Sequence, residues 1–123
     1  MNIVLPTDCG NAPRTTIVTD FTVGWAQRDT DQINTWLSDD TRWTVIGPEA
    51  SREVITAAPS FPGSTGTALE VTSIITHGRF ASCDGFLDTG CGRLHFSHVF
   101  TFSSAAKTAK IKQARTYLIL LPR

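Results

Sequence analysis

The chain has 123 residues, 41% of them hydrophobic, and its eleven basic and eleven acidic side chains cancel. That is the size and composition of one globular domain, residues 1–123, able to bury a core without staples. No block of like charge suggests a nucleic-acid partner, which would need clustered Lys and Arg. No apolar run is long enough to cross a bilayer.

Near the start, Met-Asn-Ile-Val-Leu-Pro lacks a basic segment and a long apolar core, so no signal peptide is expected. Cys9, Cys83 and Cys91 are odd in number and form no CxxC pair, and three scattered His offer no zinc spacing. The expectation is a cytoplasmic protein with reduced thiols, no metal and no cofactor. A first helix is predicted over residues 13–28, with Asn11 as its cap and Pro13 in the first turn. Ile17, Val18, Phe21 and Trp25 recur at helical spacing and make one apolar face. Asp29 with Gln32 reads as a capping-box variant opening a second helix over 30–37, which would bury Ile33, Trp36 and Leu37.

Asp39 and Asp40 end that helix and lead into a short strand over 42–46, with Trp43 and Val45 on one face. Residues 47–68 are irregular: a short helix over 51–58 capped by Ser51, then the loop Pro59-Ser-Phe-Pro-Gly-Ser-Thr-Gly. A connection of this length serves either as a rim or lid, or as a solvated crossover. Four strands follow, over 69–77, 79–87, 94–103 and 110–121. Leu69, Val71, Ser73, Ile75 and His77 share a face, as do Leu94, Phe96, His98, Phe100 and Phe102. Asp88-Thr-Gly-Cys-Gly is a turn, Asp84-Gly85 a bulge or a competing turn, and residues 103–108 the last hairpin connection. Strands of about ten residues reach roughly 33 Å, enough to curl around helices.

Certain pieces stand out in this order: Arg28-Asp29 at the second helix, Leu37-Ser-Asp-Asp-Thr-Arg-Trp43, Phe96-Ser-His-Val-Phe-Thr-Phe102, and the closing Lys110-Ile-Lys-Gln-Ala-Arg-Thr-Tyr-Leu-Ile119. With them the chain resembles the NTF2-like superfamily, which includes SnoaL-like proteins, polyketide cyclases and ketosteroid isomerases. The opening Asp8-Cys-Gly-Asn-Ala-Pro13 is similar to bacterial members of unassigned activity. The resemblance implies an α+β cone: a strongly curved, mostly antiparallel sheet wrapped around the N-terminal helices, with an apolar pocket. It also implies a homodimer through the outer sheet face, here His95, Ser97, Val99, Thr101, Gln113, Arg115 and Tyr117. The other reading of those residues is an ordinary solvated face.

Ketosteroid isomerases use a carboxylate base, a Tyr hydroxyl and a protonated Asp. The resemblance carries these positions onto Val45, Phe21 and His98, so two of the three groups are apolar and that isomerisation is not expected. His98 lies among apolar neighbours and should point inward, with a lowered pKa. It is either an acid/base group or a core histidine bonded to a carbonyl or water. Phe21, Trp25, Trp43, Val45, Phe96 and Phe100 would line the pocket or fill the core, with Thr116 as a polar contact. Ser82 and Asp84 join them if their strand turns Phe80, Ser82 and Asp84 inward, which would send Cys83 away. Three functions follow: a pocket protein for a small apolar molecule; a cyclase, isomerase or hydratase using His98; or a non-catalytic dimerisation or structural module whose pocket is filled.

Overall fold

The computed structural model describes residues 1–7, 12–48, 50–54, 62–63 and 66–122. Helix α1 runs Pro13–Gln27 and presents Ile17, Val18, Phe21 and Trp25 to the interior, as the spacing predicts. Its N-cap is Ala12, which supplies no side-chain bond; Asn11, the expected cap, lies outside the described residues. The helix stops in a Schellman arrangement, in which Asp29 N–H returns to Gly24 O at 2.8 Å and Arg28 N–H to Trp25 O at 3.3 Å. Arg28 takes the left-handed φ of 60° that this stop requires.

Helix α2 is short, Thr30–Asn34. Asp29 Oδ1 caps it by accepting from Gln32 N–H at 3.1 Å. Gln32 does not complete the capping box. Its side chain donates to Asp20 O at 2.7 Å, and Asp20 Oδ2 also accepts from Trp36 Nε1 at 2.7 Å. Asp20 thereby ties the two helices together. Strand β2, Leu37–Ile46, begins five residues earlier than expected. Asp39 and Asp40 are exposed within its first half, where the register slips between Leu37 and Arg42, instead of ending a helix.

The sheet has seven strands in the order β1-β4-β5-β6-β7-β2-β3, with β1 at Asn2–Val4, β3 at Ser51–Val54, β4 at Gly66–His77, β5 at Phe80–Thr89, β6 at Gly92–Phe102 and β7 at Ile111–Pro122. The pairs β4–β5, β5–β6, β6–β7 and β2–β3 are antiparallel; β1–β4 and β2–β7 are parallel. Two strands correct the sequence reading. β1 was not expected. β3 replaces the first half of the helix expected over 51–58, because pairing with β2 satisfies its backbone and sets Val54 beside Trp43. Residues 55–58 lie outside the described residues.

The bulge expected near Asp84-Gly85 falls on the partner strand. β4 carries the extra residue between Val71 and Ser73, opposite Gly85. A Cβ at Gly85 would meet Glu70 O at 2.0 Å, so that close approach requires glycine. Beyond the bulge the faces of β4 exchange. Leu69 and Val71 are buried, while Ile75 is 64% exposed and His77 is exposed, against the single face expected for all of them.

Candidate functional site

Strand register stacks the inner face in rows. One row holds Ala81, Phe100, Ala114, Trp43 and Val54; the next holds Cys83, His98, Thr116 and Val45; then come Gly85, Phe96 and Leu118; last, Leu87, Leu94 and Leu120. Helix α1 lies across these rows. The ring of Phe21 is 5.0 Å from Trp43, 5.0 Å from Phe100 and 5.5 Å from His98, and Trp25 is 4.6 Å from His98 and 5.0 Å from Phe96. Eight of the expected pocket residues are thus brought together: Phe21, Trp25, Trp43, Val45, Phe96, His98, Phe100 and Thr116. Their exposures run only from 0% to 4%, so they pack against one another as a nearly sealed layer.

Ser82 and Asp84 do not join this cluster. They sit on the outer side of β5, as does Phe80, which is 51% exposed, and Asp84 accepts from Ser73 Oγ there at 2.5 Å. The inward residues of β5 are Ala81, Cys83, Gly85 and Leu87. Small side chains belong on this side because α1 passes close by: Thr22 Oγ1 lies 3.4 Å from Cys83 Sγ. Cys83, expected to face away, is therefore internal, and burial pushes its thiol up to about 11, which keeps it protonated and unreactive.

Polar chemistry in the cluster is confined to three side chains. Trp43 Nε1 donates to Thr116 Oγ1 at 2.9 Å, and the same hydroxyl lies 2.7 Å from His98 Nδ1. His98 is 0% exposed, and its other nitrogen, Nε2, is buried without a hydrogen-bond partner. Desolvation pushes the imidazole down to about 3 from its ordinary 6.5, so it is neutral near neutral pH. The three positions that the resemblance assigned to isomerase chemistry do meet here, as Val45, Phe21 and His98. The buried polar and charged residues among those described are Arg14, Thr15, Thr22, Thr89, His98 and Thr116; no carboxylate is included. Among the described residues, no group of three or more His, Cys, Asp or Glu could hold a metal ion.

Sequence reasoning passed over Arg14. Its guanidinium stacks on Phe102 at 3.8 Å and donates to Ser104 O at 3.1 Å, which closes the β6–β7 end of the cone. Its position three residues before Ile17, on the same helical face, was the available signal. The opposite end is looser. The inner-row residues Leu94 and Leu118 are only partly buried, and Leu120 is 44% exposed. His98 lies two rows below that end, behind Phe96.

A curved sheet over two helices, with an aromatic layer between, defines an α+β cone. That fold is the NTF2-like one. A protein of unknown function from Burkholderia xenovorans, described as NTF-2 like, matches over 90% of this chain and 86% of its own, with a TM-score of 0.69 and 12% identity. A ketosteroid isomerase candidate from Kribbella flavida matches over 90% and 81%, with a TM-score of 0.67 and 14% identity. A SnoaL-like polyketide cyclase candidate from Shewanella denitrificans matches over 89% and 92%, with a TM-score of 0.66 and 9% identity. No family model and no curated protein matches the chain. At these identities the likeness defines the fold, and function must be argued from the site. Among the described residues, no helix is long and apolar enough to cross a membrane.

Proposed function

We propose that this protein binds a small, largely apolar molecule inside the cone, with His98 as the polar anchor. The observation that carries this reading is the unpartnered Nε2 of a fully buried histidine. Buried polar atoms are nearly always satisfied, and an orphan marks a group awaiting a partner. His98 is 0% exposed, so the unpartnered nitrogen is sealed from bulk solvent. A ligand would enter from the Leu94–Leu120 end and part Phe96 and Trp25 to reach the imidazole. A pKa of about 3 makes His98 a weak proton acceptor, which favours binding over general-base catalysis. Cyclase, isomerase or hydratase chemistry would need a stronger base from elsewhere in the chain.

The closed packing of the cluster favours a second reading, a filled and non-catalytic module that acts by pairing. Its support is the outer sheet face, where Ile75, Phe80, Tyr117, Ile119 and Leu121 are exposed. A groove of about 380 Å³ there is lined by residues that include Ile75, His77, Phe80, Val99, Thr101 and Arg115. Apolar and aromatic side chains with an arginine suit a homodimer contact. Native mass spectrometry of freshly purified protein separates the readings. A reproducible bound mass supports the pocket; an empty dimer that also takes up no aromatic probe supports the filled module.

A further inference from the structure

The side of α1 turned away from the aromatic layer forms one wall of a groove of about 350 Å³. Its apolar walls are Val23 on α1, Ile74 on β4, and Leu5 and Pro6 just after β1. The polar side carries Thr16, Thr19 and Asp20 from α1 and Gln32 from α2. Helical spacing explains the grouping. Thr16, Asp20 and Val23 follow at steps of four and three, so they share a stripe opposite Phe21 and Trp25.

Among the described residues of this lining, Asp20 alone is charged. It is half-buried and held by neutral donors: Gln32 Nε2 reaches Oδ1 at 3.1 Å, and Trp36 Nε1 reaches Oδ2 at 2.7 Å. These bonds fix the carboxylate without neutralising it. The ion pairs among the described residues are Arg42–Glu53 and Arg93–Asp88, and neither involves Asp20. An ionised carboxylate accepts about four hydrogen bonds, so Asp20 keeps acceptor capacity to offer.

We infer that this groove binds a small organic cation, a primary ammonium group carried on a short apolar body. An ammonium has only donors, which match the Asp20 carboxylate and the hydroxyls of Thr16 and Thr19. Charge decides against the alternatives. An anion would be repelled by Asp20, and a neutral alcohol would leave the carboxylate without a counter-charge. Because α2 already orders Asp20, binding does not have to freeze that side chain. The volume sits at the small end of ligand cavities, which run from roughly 300 to 1,000 Å³. Helix α1 separates this groove from the interior of the cone, so the two sites stand or fall independently.

Phenethylamine, 2-phenylethanol and phenylacetate share a shape and differ in charge. Each is titrated into the full chain, and binding is read from the backbone amide shifts of Thr16, Thr19, Asp20 and Val23. There the amine is expected to bind about fivefold to tenfold more tightly than the alcohol, the worth of one charged contact at a half-buried site. Phenylacetate should bind more weakly than either. Thr19→Arg sets a competing cation in the groove, and Asp20→Asn removes the charge while keeping an acceptor for Trp36 Nε1. In each variant the amine-to-alcohol ratio should fall to about one. Equal binding of amine and alcohol by the wild type, tightest binding of phenylacetate, or no amine-induced shift at these amides overturns the inference. So does an amine preference that survives both substitutions unchanged.

Discussion

Strands β6 and β7 have two sides with opposite chemistry. Inward, Phe96, His98, Phe100, Ala114 and Thr116 are sealed, and a single nitrogen among them lacks a partner. Outward, His95, Ser97, Val99 and Thr101 are half-buried, and Tyr117 and Ile119 stand exposed beside them. One backbone carries both sides at alternate residues. The contrast separates two kinds of unfinished surface: inside, one buried polar atom lacks a hydrogen-bond partner, whereas outside, several apolar side chains stand exposed.

The contrast can be broken at its deepest point first. Trp25→Ala would empty the space between Phe96 and His98, and should cost about 3–5 kcal/mol in urea denaturation. A loss below about 1 kcal/mol would mean that the aromatic layer is not packed as described. Next comes pH. The folded imidazole stays unprotonated down to about 3, whereas the unfolded one takes a proton near its ordinary 6.5. The unfolded state therefore binds more protons across that window. The stability contributed by the neutral, buried imidazole is fully present above pH 6.5 and is lost as pH falls towards 3, by up to about 1.4 kcal/mol per unit. His98→Gln should flatten this descent relative to wild type. Identical slopes for the two proteins would show that His98 is not buried in neutral form.

Thr116→Val tests the link between Trp43 and His98. Removing the hydroxyl leaves both nitrogens unbonded at constant volume, an expected loss of about 1–3 kcal/mol by thermal denaturation, and Thr116→Ser should restore most of it. Equal stability of the Val and Ser variants would deny the chain of bonds. The smallest effect on folding belongs to the outer face. Ile75→Lys is expected to split the proposed dimer in sedimentation while changing the monomer's stability by only about 0.5 kcal/mol. A variant that still pairs would move the interface off this face.

Much of the inner cluster was legible from spacing alone. Phe21 and Trp25 follow from helical period, and Phe96, His98 and Phe100 from strict alternation in a strand without interruption. Strand β5 was not legible in the same way. Phe80-Ala-Ser-Cys-Asp-Gly-Phe offers either set of alternate residues to the core, since Phe80 and Phe86 belong to one set and Ala81 and Cys83 to the other. Ser82 and Asp84 face outward because α1 leaves room only for Ala81, Cys83 and Gly85. Nor could the sequence locate the bulge. Gly85 signalled an irregular place, but the extra residue lies on β4, across from it.

By itself, then, the sequence determined the order of the two helices, β2 and the last four strands, the apolar face of α1, and the two sides of β6 and β7. Each of these is a local period written in neighbouring residues. Tertiary structure alone decided the pairing of β1 and β3, the side of β5 that turns inward, and the meeting of Trp43, Thr116 and His98. Those depend on strand register and helix clearance, which bring together residues such as Trp43 and Thr116, 73 positions apart in the chain. Such proximities carry no signature in any local stretch of the sequence.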